Sequence, residues 1–352
     1  MEPVRIGIIG CGVIGTGSHL PEAADSKLVT VTAVADIIEE RVKNAAGRFN
    51  IQKTYASGDE LIDDPSIEAV VLAMPAGDRF ALARRALAKK KHVLLEKPAV
   101  RTLAEMRTLM AERGDRVVAC CSPRFLAAPS AQAARQCVSE GTLGDLRVVR
   151  ARAVLAAGPA PKNPPPPWRV SHERNGGGIL VNWGCYDLDY LFGITGWKLR
   201  PERVSAKVWP LAEHLKSRVD PCSDAENHFA ALIHCQNGTV ISFERGEFVS
   251  AATDQAWQIL GSKGSLRMHM LAGRNKELYL DRSSADGVAT DVIWRGDEEK
   301  LQNTRYVLED FATAIRTGST PLTPLEHSLI LQQITDAVYA SAREGREIVI
   351  ER

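Results

Sequence analysis

A chain of 352 residues is too long for one ordinary hydrophobic core and suits two domains, and 45% hydrophobic with 25% charged residues describes a soluble globular protein. With 44 basic against 43 acidic side chains the net charge is +1, which leaves no electrostatic footprint for nucleic acid or an anionic membrane. The N-terminus Met1-Glu2-Pro3-Val4 carries no basic leader and no apolar run has the length of a membrane span, so the default expectation is a cytoplasmic protein without membrane partners.

In chain order, Val4–Ile9 reads as a short apolar strand that runs directly into Gly10-Cys11-Gly12-Val13-Ile14-Gly15. This is the G-x-G-x-x-G pattern in its strand-to-helix context. Gly10 permits the tight turn, Gly12 lets backbone amides approach a pyrophosphate, and Gly15 lets the helix pack against the strand. The second strand, Leu28–Ala35, ends in Asp36, about twenty residues after Gly15, the spacing at which a carboxylate meets the adenine-ribose hydroxyls. Asp36 repels a 2′-phosphate and Ile37 and Ile38 offer no guanidinium to hold one, which favours NAD; Arg41 is close enough to keep NADP open. Further strands are expected at Ala69–Ala73, His92–Leu95 and Val117–Cys121, separated by helical stretches, so the predicted fold is α/β with a parallel, doubly wound sheet. Ligands bind such sheets beyond the strand C-termini. Ala73, Met74-Pro75 and Glu96-Lys97-Pro98 lie at those ends and should share one crevice with Asp36. A lysine that ends a buried-looking strand there needs a chemical reason, and Lys97 is the leading catalytic candidate.

After Arg124 the pattern changes. A helix is expected over Ser130–Glu140, stopped by Gly141, followed by strand-like runs at Val148–Leu155, Val204–Val208, His228–His234, Thr239–Glu244, Gln258–Leu260, Ser265–Met270 and Lys276–Leu280. Asn237-Gly238 is a hairpin signal. Strands without intervening helices predict an open, mostly antiparallel sheet, and Leu325, Leu329, Ile330, Ile334, Ala337 and Val338 form one face of a last helix ending at Gly345. The domains are accordingly expected at 1–122 and 123–352. Pro164-Pro165-Pro166-Pro167 is a stiff extended loop before Trp168-Arg169. Seven cysteines, at 11, 120, 121, 137, 185, 222 and 235, are odd in number and lack any C-x-x-C pair, so they read as reduced, mostly buried thiols. His172, His228 and His234 show no metal-ligand spacing, and no metal is expected.

Gly176-Gly177-Gly178 reads as a flexible turn that opens a helix. On that helix Asn182, Tyr186 and Asp189 stand at i, i+4 and i+7, which predicts one shared face. Gly184 implies a close neighbour, with a cofactor ring or substrate as one candidate.

The Gly10 loop, Glu96-Lys97-Pro98, Arg124-Phe125 after the fifth strand, and the triple glycine leading to Asn182-x-Gly184-x-Tyr186-x-x-Asp189 resemble the glucose–fructose oxidoreductase and inositol dehydrogenase (Gfo/Idh/MocA) family. The resemblance extends along the whole chain to Asp336-Ala337-Val338-Tyr339. It implies NAD(P)-dependent oxidation or reduction at a carbon bearing a hydroxyl, with sugars and cyclitols as substrates, and a homodimer or homotetramer built through the open face of the second sheet. The family pattern is most often Asp-x-Gly-x-His-x-x-Asp, whereas this chain carries Asn182 and Tyr186; some branches use tyrosine there for proton transfer and some carry asparagine. Arg79 stands where a histidine is common, and either binds an anionic substrate group or stabilises a helix start.

The resemblance implies a cofactor site of Gly10, Gly12, Val13, Ile14, Gly15, Asp36, Ile37, Ala73, Pro75, Glu96, Lys97 and Arg124. Lys97, Tyr186 and Asn182 would be catalytic, with Asp189, Trp168, Arg169, Arg124 and Arg79 toward substrate. Two readings stay open for several of these. Glu96 touches the nicotinamide ribose or pairs with Lys97; Trp168 and Arg169 close over the cleft or simply pack; Arg124 belongs to the domain junction or to a surface ion pair. The expected function is an NAD-dependent sugar or cyclitol dehydrogenase. Its rivals are an NADP-linked carbonyl or dihydrodiol oxidoreductase and a non-catalytic dinucleotide-binding sensor.

Overall fold

A computed structural model describes residues 1–299 and 303–351. The chain divides into two compact units, Met1–Arg124 with Gln302–Leu329, and Phe125–Leu301 with Ile330–Arg352. A single cut after residue 122 does not capture the return of 302–329 to the first unit. Among the described residues no helix is long and apolar enough to cross a membrane.

In the first unit six strands, β1 (Val4–Ile9), β2 (Val29–Ala35), β3 (Lys53–Tyr55), β4 (Ala69–Leu72), β5 (His92–Leu95) and β6 (Val118–Cys120), form a parallel sheet in the order β3-β2-β1-β4-β5-β6. The order reverses between β1 and β4, the switch point at which such sheets bind ligands. All four residues of β4 are buried, as a strand covered on both faces requires. Alternate side chains feed two cores. Ile6, Ile8, Val34, Val71 and Leu94 pack with Leu20, Val42 and Phe311, while Ile9, Ala35, Val70, Leu72 and Leu95 pack with Leu61, Ala83, Leu109 and Leu325. The sequence reading missed β3, since Lys53-Thr54-Tyr55 is a short, mostly polar edge, and it missed the helix Asn303–Thr317.

The second unit holds nine strands: β7 (Leu146–Ala156), β8 (Pro201–Trp209), β9 (His228–Cys235), β10 (Val240–Val249), β11 (Asp254–Gly261), β12 (Gly264–Met268), β13 (Lys276–Ser284), β14 (Gly287–Gly296) and β15 (Ile348–Val349). Their order is β14-β13-β12-β11-β7-β10-β9-β8-β15. Every pair is antiparallel except β10 with β7. The expected α/β class, a doubly wound parallel sheet followed by an open and mostly antiparallel one, describes the molecule. Along β9 the side chains Phe229, Ala231, Ile233 and Cys235 are buried and their alternates are not, the signature of a sheet packed on one face only. Helices Pro129–Ser139 and Cys185–Ile194 lie against the sheet's buried side. Gly141 and Gly345 stop their helices in the left-handed conformation, as their positions predict. Strands β14 and β15 were not foreseen: β14 is exposed along nearly its whole length and β15 has two residues, so neither carries a hydrophobic alternation to read.

Candidate active site

The glycine loop is built by close approach. Gly10 has φ +105°, and a Cβ there would lie 2.5 Å from the Ala73 carbonyl oxygen; a Cβ on Gly15 would lie 2.0 Å from the Gly10 oxygen. Gly12 is different, because a Cβ there would meet nothing within 4 Å, so its bareness leaves room for a ligand. Asp36 is tied into the same loop. Its Oδ2 accepts the Cys11 N–H at 2.8 Å and its Oδ1 accepts the Ile38 N–H at 2.9 Å. An ionised carboxylate has about four acceptor sites, which leaves about two for ribose hydroxyls. Val13 and Ile37 are 86% and 89% exposed, with Ile14 and Ile38 partly so, and these apolar flanks suit the planar and apolar parts of a dinucleotide. The residues therefore fit NAD. Pro75 stands at the start of the helix Ala76–Ala88.

Lys97 sits on a turn locked from both sides. The Glu96 carboxylate is buried; Oε1 accepts His19 Nε2 at 2.8 Å and the Arg124 guanidinium, while Oε2 accepts the Lys97 backbone N–H at 3.1 Å. Burial works against that charge, and Arg124, His19 and Lys97 outweigh it, holding the group well below the ordinary carboxylate range. Arg79 closes the other side by donating to the carbonyls of Met74, at 2.6 Å, Glu96 and Pro98. His19 ends a π-turn, Gly15–His19, within the helix that follows the glycine loop. Such turns insert a residue and redirect the side chains around them.

A second π-turn, Leu180–Gly184, opens the helix Cys185–Ile194. The start of this helix is fixed, since a Cβ on Gly177 would lie 1.9 Å from the Tyr339 hydroxyl and one on Gly178 would lie 1.8 Å from the Glu226 carbonyl oxygen. The Glu226 carboxylate accepts the N–H groups of Gly178 and Leu180 at 3.1 and 3.0 Å, and the Tyr339 hydroxyl donates to it at 3.0 Å. The triple glycine is thus a site of close packing and not the flexible turn expected from sequence. Asn182 and Tyr186 are both buried, and the Tyr186 ring meets Phe125 and Trp183 edge-on at centroid distances of 5.3 and 5.5 Å. Beneath them Asp187 accepts Arg245 Nε at 2.7 Å and Trp257 Nε1 at 2.8 Å, and the Arg245 guanidinium lies 4.9 Å from the Trp183 ring centre.

Four sequence expectations are corrected. Asp189 is 0% exposed and neither carboxyl oxygen has a hydrogen-bond partner among the described residues, so it does not present itself to substrate; burial pushes its carboxyl well up. Arg79 grips backbone carbonyls and not a substrate anion. Arg169 forms a two-pronged pair with Glu247 at 3.0 and 2.7 Å, which commits its guanidinium to the protein. The close neighbour of Gly184 is the Phe243 ring, 3.0 Å from where a Cβ would stand, and not a cofactor. Arg124 pairs with Glu96, and Trp168 is half-buried in a short turn, Pro167–Val170.

Sequence reasoning missed His19, Glu226, Asp187 and Arg245, because a single polar residue whose partner lies far along the chain carries no spacing signal. Six cysteines are buried and Cys222 is exposed. His19, Glu96 and Cys121 bring potential ligand atoms within 4.8 Å of one another. The Arg124 guanidinium on Glu96 and the protonated Cys121 thiol, which burial pushes well up, both oppose a cation there.

Comparison with known proteins adds three findings. Residues 4–120 match the description "Oxidoreductase family, NAD-binding Rossmann fold" and residues 131–267 match the "GFO/IDH/MocA C-terminal domain". Among relatives, the trans-1,2-dihydrobenzene-1,2-diol dehydrogenase of Macaca fuscata fuscata is 31% identical over 95% of this chain and 96% of its own. The myo-inositol 2-dehydrogenase of Thermotoga maritima is 24% identical over 99% of both. Among solved structures, levoglucosan dehydrogenase in complex with NADH and levoglucosan shares the fold, with a TM-score of 0.85 and 21% identity over 100% of each chain.

Proposed function

Because this chain belongs to the Gfo/Idh/MocA oxidoreductase family, with its NAD-binding Rossmann fold, we propose that it is an NAD-dependent dehydrogenase of a sugar, cyclitol or sugar derivative, exchanging hydride between a secondary hydroxyl, or the matching ketone, and nicotinamide. The observation that carries this reading is the Lys97 turn, held by Glu96 and Arg79 in the unit that also holds the open glycine cradle. A structural lysine has no need of so much fixing.

Bound NAD supplies the hydride acceptor, with the Gly10–Gly15 loop at its diphosphate and Asp36 at its adenine ribose. The unit of Met1–Arg124 with Gln302–Leu329 would serve the cofactor, and the unit of Phe125–Leu301 with Ile330–Arg352 the substrate and oligomerisation. Tyr186 takes the hydroxyl proton. A free phenol titrates near ~10, too high for efficient work at neutral pH. An ammonium about 4 Å away, at an effective dielectric of about 20, favours the phenolate by roughly 4 kcal/mol, or about three pKa units. Lys97 provides that charge in turnover and polarises the reacting oxygen, Asn182 orients the substrate, and Trp168 covers the nicotinamide end. In the alternative, Lys97 itself exchanges the proton.

Nicotinamide absorbance with a panel of sugars, inositols and sugar acids between about pH 7 and 9 tests the reading. Turnover with NAD is expected. Silence across the panel would leave a dinucleotide-binding sensor, and a tenfold preference for NADP would overturn the Asp36 argument. Near-normal turnover by Tyr186→Phe would eliminate Tyr186 as the base. A dihydrodiol is the second substrate to try, favoured by the name of the 31% identical relative.

The assembly proposed is a homodimer or homotetramer through the open face of the second sheet. Trp209 and Leu232 are 45% and 47% exposed there, beside a groove of about 510 Å³ that Lys207 and Glu244 also line. Light scattering of the purified protein gives the count.

A further inference from the structure

We propose that His19 is a positioning residue for Lys97, acting through the buried carboxylate of Glu96; this rests on the reading of Lys97 as the working cation. His19 is 0% exposed and its Nε2 lies 2.8 Å from Glu96 Oε1. An ionised carboxylate only accepts, so Nε2 carries the proton and donates it. The other oxygen, Oε2, accepts the Lys97 backbone N–H at 3.1 Å. Each carboxylate oxygen thus has a fixed task. Without the imidazole, Arg124 is the hydrogen-bond partner left to Oε1 among the described residues, and a carboxylate facing one guanidinium turns toward a two-pronged pair with it. That rotation releases the Lys97 amide and moves the negative charge away from the ammonium.

The π-turn is the second observation. Gly15–His19 follows directly on the glycine loop, so one backbone irregularity both starts at the glycine that seats the helix and ends at the histidine that reaches Glu96. His19 Nδ1 has no hydrogen-bond partner among the described residues, which leaves the bond to Glu96 as the ring's polar anchor. The charged and titratable groups around Glu96 are His19, Arg124 and Lys97, with Cys121 and Cys120 beside it in the sheet, Arg79 on its carbonyl, and Glu22 acting on Arg124.

The test compares the wild type with His19→Leu, which fills similar space without a donor, and His19→Gln, which keeps one. Lys97 reactivity is read in the protein without added cofactor, by reductive methylation across a pH series with mass spectrometry of the Lys97 peptide. We expect the midpoint for Lys97 to fall by at least half a pH unit in His19→Leu and to return in His19→Gln, with other lysines unmoved. In the assay, kcat of His19→Leu should fall about tenfold or more and the pH limb of kcat should move, with KM for NAD within about threefold. Unchanged Lys97 midpoints in a folded His19→Leu protein would overturn the proposal, as would equal loss in His19→Leu and His19→Gln. If no substrate turns over but the Lys97 midpoint moves as stated, the dehydrogenase reading fails while the positioning stands.

Discussion

Glu96 and Asp189 are both buried carboxyls at expected site positions, yet the protein treats them oppositely. Glu96 ends β5 among a guanidinium, an imidazole and a backbone amide, and is held charged. Asp189 lies on the helix Cys185–Ile194 with no hydrogen-bond partner among the described residues, and burial pushes it toward the neutral acid. The difference teaches that depth does not set charge; the donors within reach do. Asp187, two residues before Asp189, makes the same point on one helix: burial pushes its carboxyl up, and Arg245 and Trp257 pull it back.

The sharpest break of this comparison is at Lys97, the residue whose amide Glu96 holds. Lys97→Met should lower kcat roughly a thousand-fold, the equivalent of the roughly 4 kcal/mol assigned to its charge, while NAD affinity measured by fluorescence titration stays within a few-fold. Retained turnover would mean that the wired turn serves the fold alone. Next in size is Asp187→Asn, which leaves the buried Arg245 guanidinium uncompensated and should cost about 3–5 kcal/mol in urea unfolding. Adding Arg245→Met should recover part of the loss, because the two changes share one interaction.

The smallest effect is expected at Asp189. Its folded-state carboxyl titrates above the ordinary value of 3.8, so stability is full below that value and declines as pH rises through the raised one. Asp189→Asn cannot ionise, and its melting temperature relative to the wild type should climb with pH from about pH 4 upward. A flat difference would show that Asp189 has a partner in solution and belongs with Glu96.

Much of the first unit was legible because its signals are local. The Gly10–Gly15 spacing, Asp36 at the end of β2, and Glu96-Lys97 at the end of β5 each follow from short-range constraints on a parallel sheet. The last helix was equally readable from the face through Leu325, Leu329, Ile334 and Val338. What was not legible depends on partners far along the chain. Arg79 offers the same guanidinium to a substrate anion or to three carbonyls, and only the placing of Met74, Glu96 and Pro98 around it decides. The triple glycine looks flexible until Glu226 and Tyr339 are packed against it. The π-turns at Gly15–His19 and Leu180–Gly184 leave no mark in hydrophobic periodicity, and with the first went His19.

The sequence by itself determined the fold class, the family and the dinucleotide loop, since repeating apolar patterns and glycine spacing are properties of neighbouring residues. Tertiary structure alone decided the charge and task of each buried polar group. A carboxyl becomes an ion or an acid according to the donors that distant segments bring within about 3 Å, and that distance is fixed only once the chain has packed.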